Sequence, residues 1–157
     1  MSDITKEDMT IINYGVIKFH PKDDIEYRLH QAYRASKQLC KQYKPTVLGV
    51  ENVFVYLGSL ASFALQGSKT AVIIGFLEEF LEENPSLGYP NIHKLSTTSI
   101  KKQIVGKGRA TKDEVAAAVK AKTGMDVDGV PSDATDAVAV SWCTHRLIKQ
   151  QAQNAPQ

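Results

Sequence analysis

The run Pro45-Thr-Val-Leu-Gly-Val-Glu51 limits the folds open to this chain more than any other segment. A short apolar run without polar alternation is the pattern of a strand covered on both faces, as in the sheets of α/β proteins. Upstream, Ile25, Leu29, Ala32, Tyr33, Ser36, Leu39 and Cys40 recur at three- and four-residue spacing after Asp23 and Asp24, either of which can cap. This predicts an amphipathic helix ending near Tyr43. Downstream, a long helix is expected over residues 57–83, with Leu60, Phe63, Ala64, Gly67, Ala71, Ile74 and Leu81 along one side. A strand set between two helices puts Glu51 at its carboxyl end, the edge where open α/β sheets bind ligands.

The remaining pattern extends the same architecture. Ile11 to Phe19 mixes β-branched and aromatic residues and is stopped by Pro21, so a strand is expected there. After the turn Asn84-Pro85-Ser-Leu-Gly88-Tyr-Pro90, a short strand is expected at residues 91–95 and a helix from Ser96 to Ile104. Thr111-Lys-Asp-Glu114 is a capping-box pattern opening a helix that Gly124 closes. A final helix starts around Pro131-Ser132-Asp133. The expectation is an α/β protein with one domain over residues 1–150 and a disordered polar tail over residues 151–157. Small residues at Gly67, Ser68, Ala71 and Gly75 let another element come close; packing onto the chain's own sheet is the commoner use, and a dimer seam is the alternative.

Composition excludes several classes. At 157 residues and 43% hydrophobic content the chain can bury one sizeable core. Nineteen Lys and Arg nearly balance seventeen Asp and Glu, so any basic surface must be local. Apolar runs such as residues 71–77 are far shorter than the roughly 20 residues of a bilayer span, and the N-terminus lacks a signal-peptide core, so a soluble, cytoplasmic protein with no membrane partner is expected. Cys40 and Cys143 have no metal-ligand spacing and read as small core residues. No Walker loop, dinucleotide fingerprint or Gly-x-Ser-x-Gly elbow is present.

Two constellations carry chemistry. Asp133 and Asp136 lie one turn apart at the start of a helix and project to the same side. Taken alone, such a pair caps amides and complements the helix dipole more often than it binds metal. Glu51 shifts the balance, because a carboxylate at the end of an apolar strand is costly to bury without a counter-charge and a shared divalent cation would supply it. Two such ions activate water and stabilise the leaving oxygen in phosphodiester cleavage. The second constellation is Lys101, Lys102, Lys107, Arg109 and Lys112 around Gly106-Lys-Gly108, a basic edge where glycines let the backbone approach a phosphate. A solvated helix pair accounts for it equally well.

In order, Tyr14-Gly-Val-Ile-Lys18, Arg28-Leu29, Pro45 to Glu51-Asn-Val-Phe54, Ile100-Lys-Lys-Gln-Ile-Val-Gly106-Lys-Gly108, Ala110-Thr-Lys112 and Asp133-Ala-Thr-Asp136-Ala-Val-Ala-Val resemble the RuvC family of Holliday-junction resolvases. The resemblance covers residues 11–147. It implies an RNase H-like fold with a mixed sheet flanked by helices, a homodimer, and magnesium-dependent symmetrical nicking of four-way DNA junctions in recombination and repair, with Mn2+ as the other candidate ion. Glu51, Asp133 and Asp136 match the family's acidic catalytic and metal-binding positions, Lys101 and Lys112 match basic positions near the scissile phosphate, and Phe54 matches an aromatic that contacts junction bases. Lys107 and Arg109 join the DNA-binding set, and a branch-migration motor is an implied partner. The family's opening strand, with a further aspartate in Gly-Ile-Asp-Pro-Gly, and the strand after it have no counterpart here, and Asp3 and Asp8 lack that context. A non-catalytic junction-binding relative and an N-terminally truncated, inactive form are therefore alternatives, with an α/β interaction domain as a third.

Overall fold

The computed structural model describes residues 9–52 and 59–156. Its elements are α1 (Ile25–Tyr43), β1 (Val47–Asn52), α2 (Leu60–Glu83), β2 (Asn91–Ser96), α3 (Thr97–Ile104), α4 (Lys112–Thr123) and α5 (Ser132–Gln153), with β1 hydrogen-bonded to β2. The described residues divide into two compact units, residues 17–94 and residues 9–16 with 95–156, where the sequence reading takes one domain.

In the unit of residues 17–94, α1 and α2 lie side by side. Gly75 makes the approach possible: a Cβ there would stand 2.8 Å from the Tyr33 carbonyl oxygen and 3.0 Å from the Ser36 Cβ. Ser36 Oγ donates to the Val72 carbonyl oxygen at 2.7 Å, so the contact is hydrogen-bonded as well as close. Gly67 faces Leu29, whose Cδ2 would lie 3.0 Å from an added Cβ. Two glycines of the small-residue stripe thus serve the pairing of α2 with α1, rather than a sheet contact or a dimer seam. Polar groups close the seam: Tyr33 Oη donates to Glu78, and Lys37 Nζ bonds the same carboxylate at 2.9 Å. These bonds hold the Glu78 carboxyl below its usual range and push the Lys37 ammonium up. Cys40, Phe76 and Phe80 form the apolar centre, with Leu48 of β1 and Ile92 of β2 packed on it.

In the other unit, α3, α4 and α5 enclose Ile100, Ile104, Val115, Val119, Val138 and the fully buried Trp142. The caps are local and strong. Ser96 Oγ accepts from Ser99 N, and Thr111 and Glu114 form the expected reciprocal capping box. Gly124 ends α4 at φ 73°, a left-handed conformation that glycine adopts at little steric cost. Lys122 and Arg146 place their charges 4.9 and 4.8 Å from the Trp142 ring centroid, a double cation–π contact.

Two expectations are corrected. Residues 11–19 form no strand. A strand exists only where a neighbour accepts its ladder, and the described sheet has two strands, paired with each other. Met9 and Ile11 pack on the core of the second unit, while Ile12, Tyr14, Val16 and Ile17 are exposed. Second, α5 continues to Gln153, so the tail expected to be disordered is helical over residues 151–153. Among the described residues α2 is long and apolar enough to cross a bilayer by length and composition, and little of it is buried. Its apolar residues are interspersed with small and polar ones, so the long uninterrupted apolar run of a simple span is missing from it.

Candidate active site

Helix α5 begins after Pro131, which occupies the N-cap position. Neither aspartate of the pair is therefore the capping residue. Ala134, Thr135, Val138 and Ala139 are buried, which turns Asp133 outward and leaves Asp136 half-buried at the edge of the core. The first turn is held by Thr135 Oγ1, which donates to the Ser132 carbonyl oxygen at 2.8 Å. Beside it comes the start of α4: Lys112 Nζ lies 3.2 Å from Ser132 Oγ, within hydrogen-bond distance. Fold and sequence together bring a lysine to the residue immediately before the first aspartate. Two carboxylates on one turn with an ammonium nearby can hold a divalent cation or orient a phosphate oxygen.

The basic turn lies in the same unit. Gly106 has φ 100°, a conformation L side chains avoid, and a Cβ at Gly108 would meet Thr98 Cγ2 at 2.7 Å. Gly106 is thus required by backbone shape, and Gly108 by the closeness of the Thr98 side chain. Between them, Lys107 Nζ bonds Glu114 Oε1 at 2.5 Å, while Glu114 Oε2 accepts from Thr111 N at 2.8 Å. The Lys107 bond, followed by the Thr111 amide, holds the Glu114 carboxyl below the usual carboxylate range. Lys101 and Lys102 sit in the last turn of α3, where cations favour the helix dipole.

Glu51 belongs to the other unit, near the end of β1. Its counter-charge there is a lysine the sequence reading passed over. Lys69 Nζ donates to the Glu51 carbonyl oxygen at 2.8 Å and stands 3.8 Å from Oε2. Partial burial lowers the Lys69 pKa, against the pull of Glu51. Lys69 lies eighteen residues downstream on α2, and only the register of that helix against β1 reveals it. Among the described residues, no three His, Cys, Asp or Glu side chains gather as a metal-binding group. Phe54, Asp3 and Asp8 lie outside the described residues.

Comparison with known proteins gives a consistent answer. The family described as "Crossover junction endodeoxyribonuclease RuvC" matches residues 2–145. Similar curated proteins include the crossover junction endodeoxyribonuclease RuvC of Pelodictyon phaeoclathratiforme, 28% identical over 85% of this chain and 65% of the relative. That of Petrotoga mobilis is 28% identical over 92% of this chain and 83% of the relative. The chain thus spans about two thirds of the first of these and more of the second. Among solved structures, Thermus thermophilus RuvC superposes with a TM-score of 0.70 at 23% identity, covering 91% of this chain and 80% of that one. The T. thermophilus RuvC complex with a Holliday junction substrate gives 0.69 at 22% identity, covering 83% and 74%. The α/β, RNase H-like fold is shared with these structures, and with a family match over nearly the whole chain, this protein belongs to the RuvC family of crossover junction endodeoxyribonucleases.

Proposed function

We propose that the protein is a structure-selective endodeoxyribonuclease that binds four-way DNA junctions and resolves them by paired phosphodiester nicks. The family match over residues 2–145 carries the reading. It is supported by the aspartate pair on the first turns of α5, beside Lys112. Asp133, Asp136 and Glu51 are the candidate catalytic carboxylates; Lys101, Lys107, Arg109, Lys112 and Phe54 are the candidate DNA contacts. Magnesium is the candidate ion, with manganese as its substitute, and in such a site the metal activates water and stabilises the leaving oxygen. The aspartate pair fits a hard cation in donor type but supplies two carboxylates, and Glu51 already has Lys69 as a counter-charge.

That pairing favours a second reading, a family member that recognises junctions without cutting them. A nicking assay separates the two. The chain as it stands and a version carrying an upstream Gly-Ile-Asp-Pro-Gly strand are incubated with a synthetic four-way junction and magnesium. Cutting by either supports the nuclease. Two well-folded, inert proteins that still bind the junction would leave recognition alone.

The reading also includes a homodimer, a cytoplasmic location and a branch-migration motor as partner. For the dimer, the supporting feature is a narrow apolar side of α2. Leu60, Phe63, Ile74 and Leu81 are exposed and fall within about 60° of arc at 100° per residue.

A further inference from the structure

We propose that Glu114 acts as an internal substitute for a DNA phosphate, occupying Lys107 in the free protein and giving it up when a junction binds. The proposal rests on the junction-binding reading above. It makes Glu114 a determinant of affinity and of salt dependence.

The geometry is specific to this carboxylate. One oxygen, Oε2, takes the Thr111 amide and completes the capping box of α4. The other, Oε1, points at the turn and takes Lys107 Nζ at 2.5 Å. The cap therefore fixes the carboxylate, so an exchange would move Lys107 rather than Glu114. Gly106 and Gly108 bound the position of Lys107, the first by its positive φ and the second by its closeness to Thr98. A lysine in a backbone-shaped turn, facing a fixed anion, is presented much as it would be to a backbone phosphate.

The strength of the pair suits exchange. Both side chains are partly open to water, 59% for Lys107 and 37% for Glu114. Exposed pairs of this kind are weak and screened by salt. A phosphate in the dense charge of a duplex backbone can therefore displace the carboxylate. When it does, DNA releases a counterion and the vacated Glu114 takes one up, so the exchange contributes less salt dependence than a lysine contact ordinarily gives. The cap through Oε2 survives, and the start of α4, which carries Lys112, stays in place.

Glu114→Gln separates the two roles, because glutamine at this position retains the capping box while losing the charge. Binding of the full chain to a labelled four-way junction is measured in chelator across a series of potassium chloride concentrations. E114Q is expected to bind about two- to fivefold tighter and to steepen the log-log salt slope by about one unit. Removing any negative charge favours binding to DNA, so Asp113→Asn gives the background effect. In a Lys107→Met background, E114Q should add nothing beyond that background. Unchanged or weaker binding by E114Q with helix content intact would overturn the exchange, as would a full gain that persists without Lys107. If glutamine reduces helix content, Lys107→Met alone decides: a slope lowered by well under one unit supports the exchange, and a full unit overturns it. A folded wild-type chain that binds neither junction nor duplex at low salt would instead overturn the junction-binding reading, and the exchange with it.

Discussion

A carboxylate at a strand end needs a counter-charge, and Lys69 Nζ, 3.8 Å from Glu51 Oε2, provides one without any ion. Each group has a claim on the other. Glu51→Gln would leave the half-buried ammonium with only the backbone carbonyl, at a cost of about 1 kcal/mol. For Asp136→Asn the expectation is a fold equally or more stable, since two aspartates one turn apart repel. Melting curves with and without magnesium extend the comparison. If the three carboxylates share an ion, wild type gains a magnesium-dependent rise in Tm that both variants lose. A rise that survives intact in both would remove these residues from a metal site. The carboxylates themselves were legible because their spacing and the apolar strand before Glu51 are local patterns. Lys69 was not, since nothing within one helix signals what the helix will lie against.

At the scale of elements, each helix whose ends carried local chemistry was readable. Ser96, the Thr111–Glu114 box and Gly124 bound α3 and α4 where their side chains and φ angles require. Residues 11–19 misled because strand-forming composition says nothing about whether a partner ladder exists. The small-residue stripe signalled close packing but not its partner, which is α1. Gly75→Ala tests that packing. A methyl group at 2.8 Å from the Tyr33 carbonyl must separate the helices, so unfolding in urea should show a loss of about 1–3 kcal/mol. Gly15→Ala, which meets nothing within 4 Å, is the control and should be near neutral. Equal midpoints for the two variants would mean that α1 and α2 are less closely packed than described.

For the whole molecule, the exposed side of α2 is the feature with the largest reach. Leu60 and Phe63 are 89% and 69% exposed, and their neighbours along the helix extend the strip through Ile74 to Leu81. If that strip joins two copies, Phe63→Asp and Ile74→Asp should each shift sedimentation toward the monomer without changing helix content. A wild-type chain that sediments as a monomer at every accessible concentration would refute the seam. Gly75 has a different kind of consequence, one that concerns descent rather than assembly. The space at Gly75 is filled by the main chain of α1, by the Tyr33 carbonyl and the Lys37 amide, which every amino acid carries. No substitution in α1 can make room for a side chain at position 75, so a change there has no second-site suppressor at those two contacts. As lineages carrying this helix pair diverge, α1 is free to vary its side chains while position 75 is held to glycine.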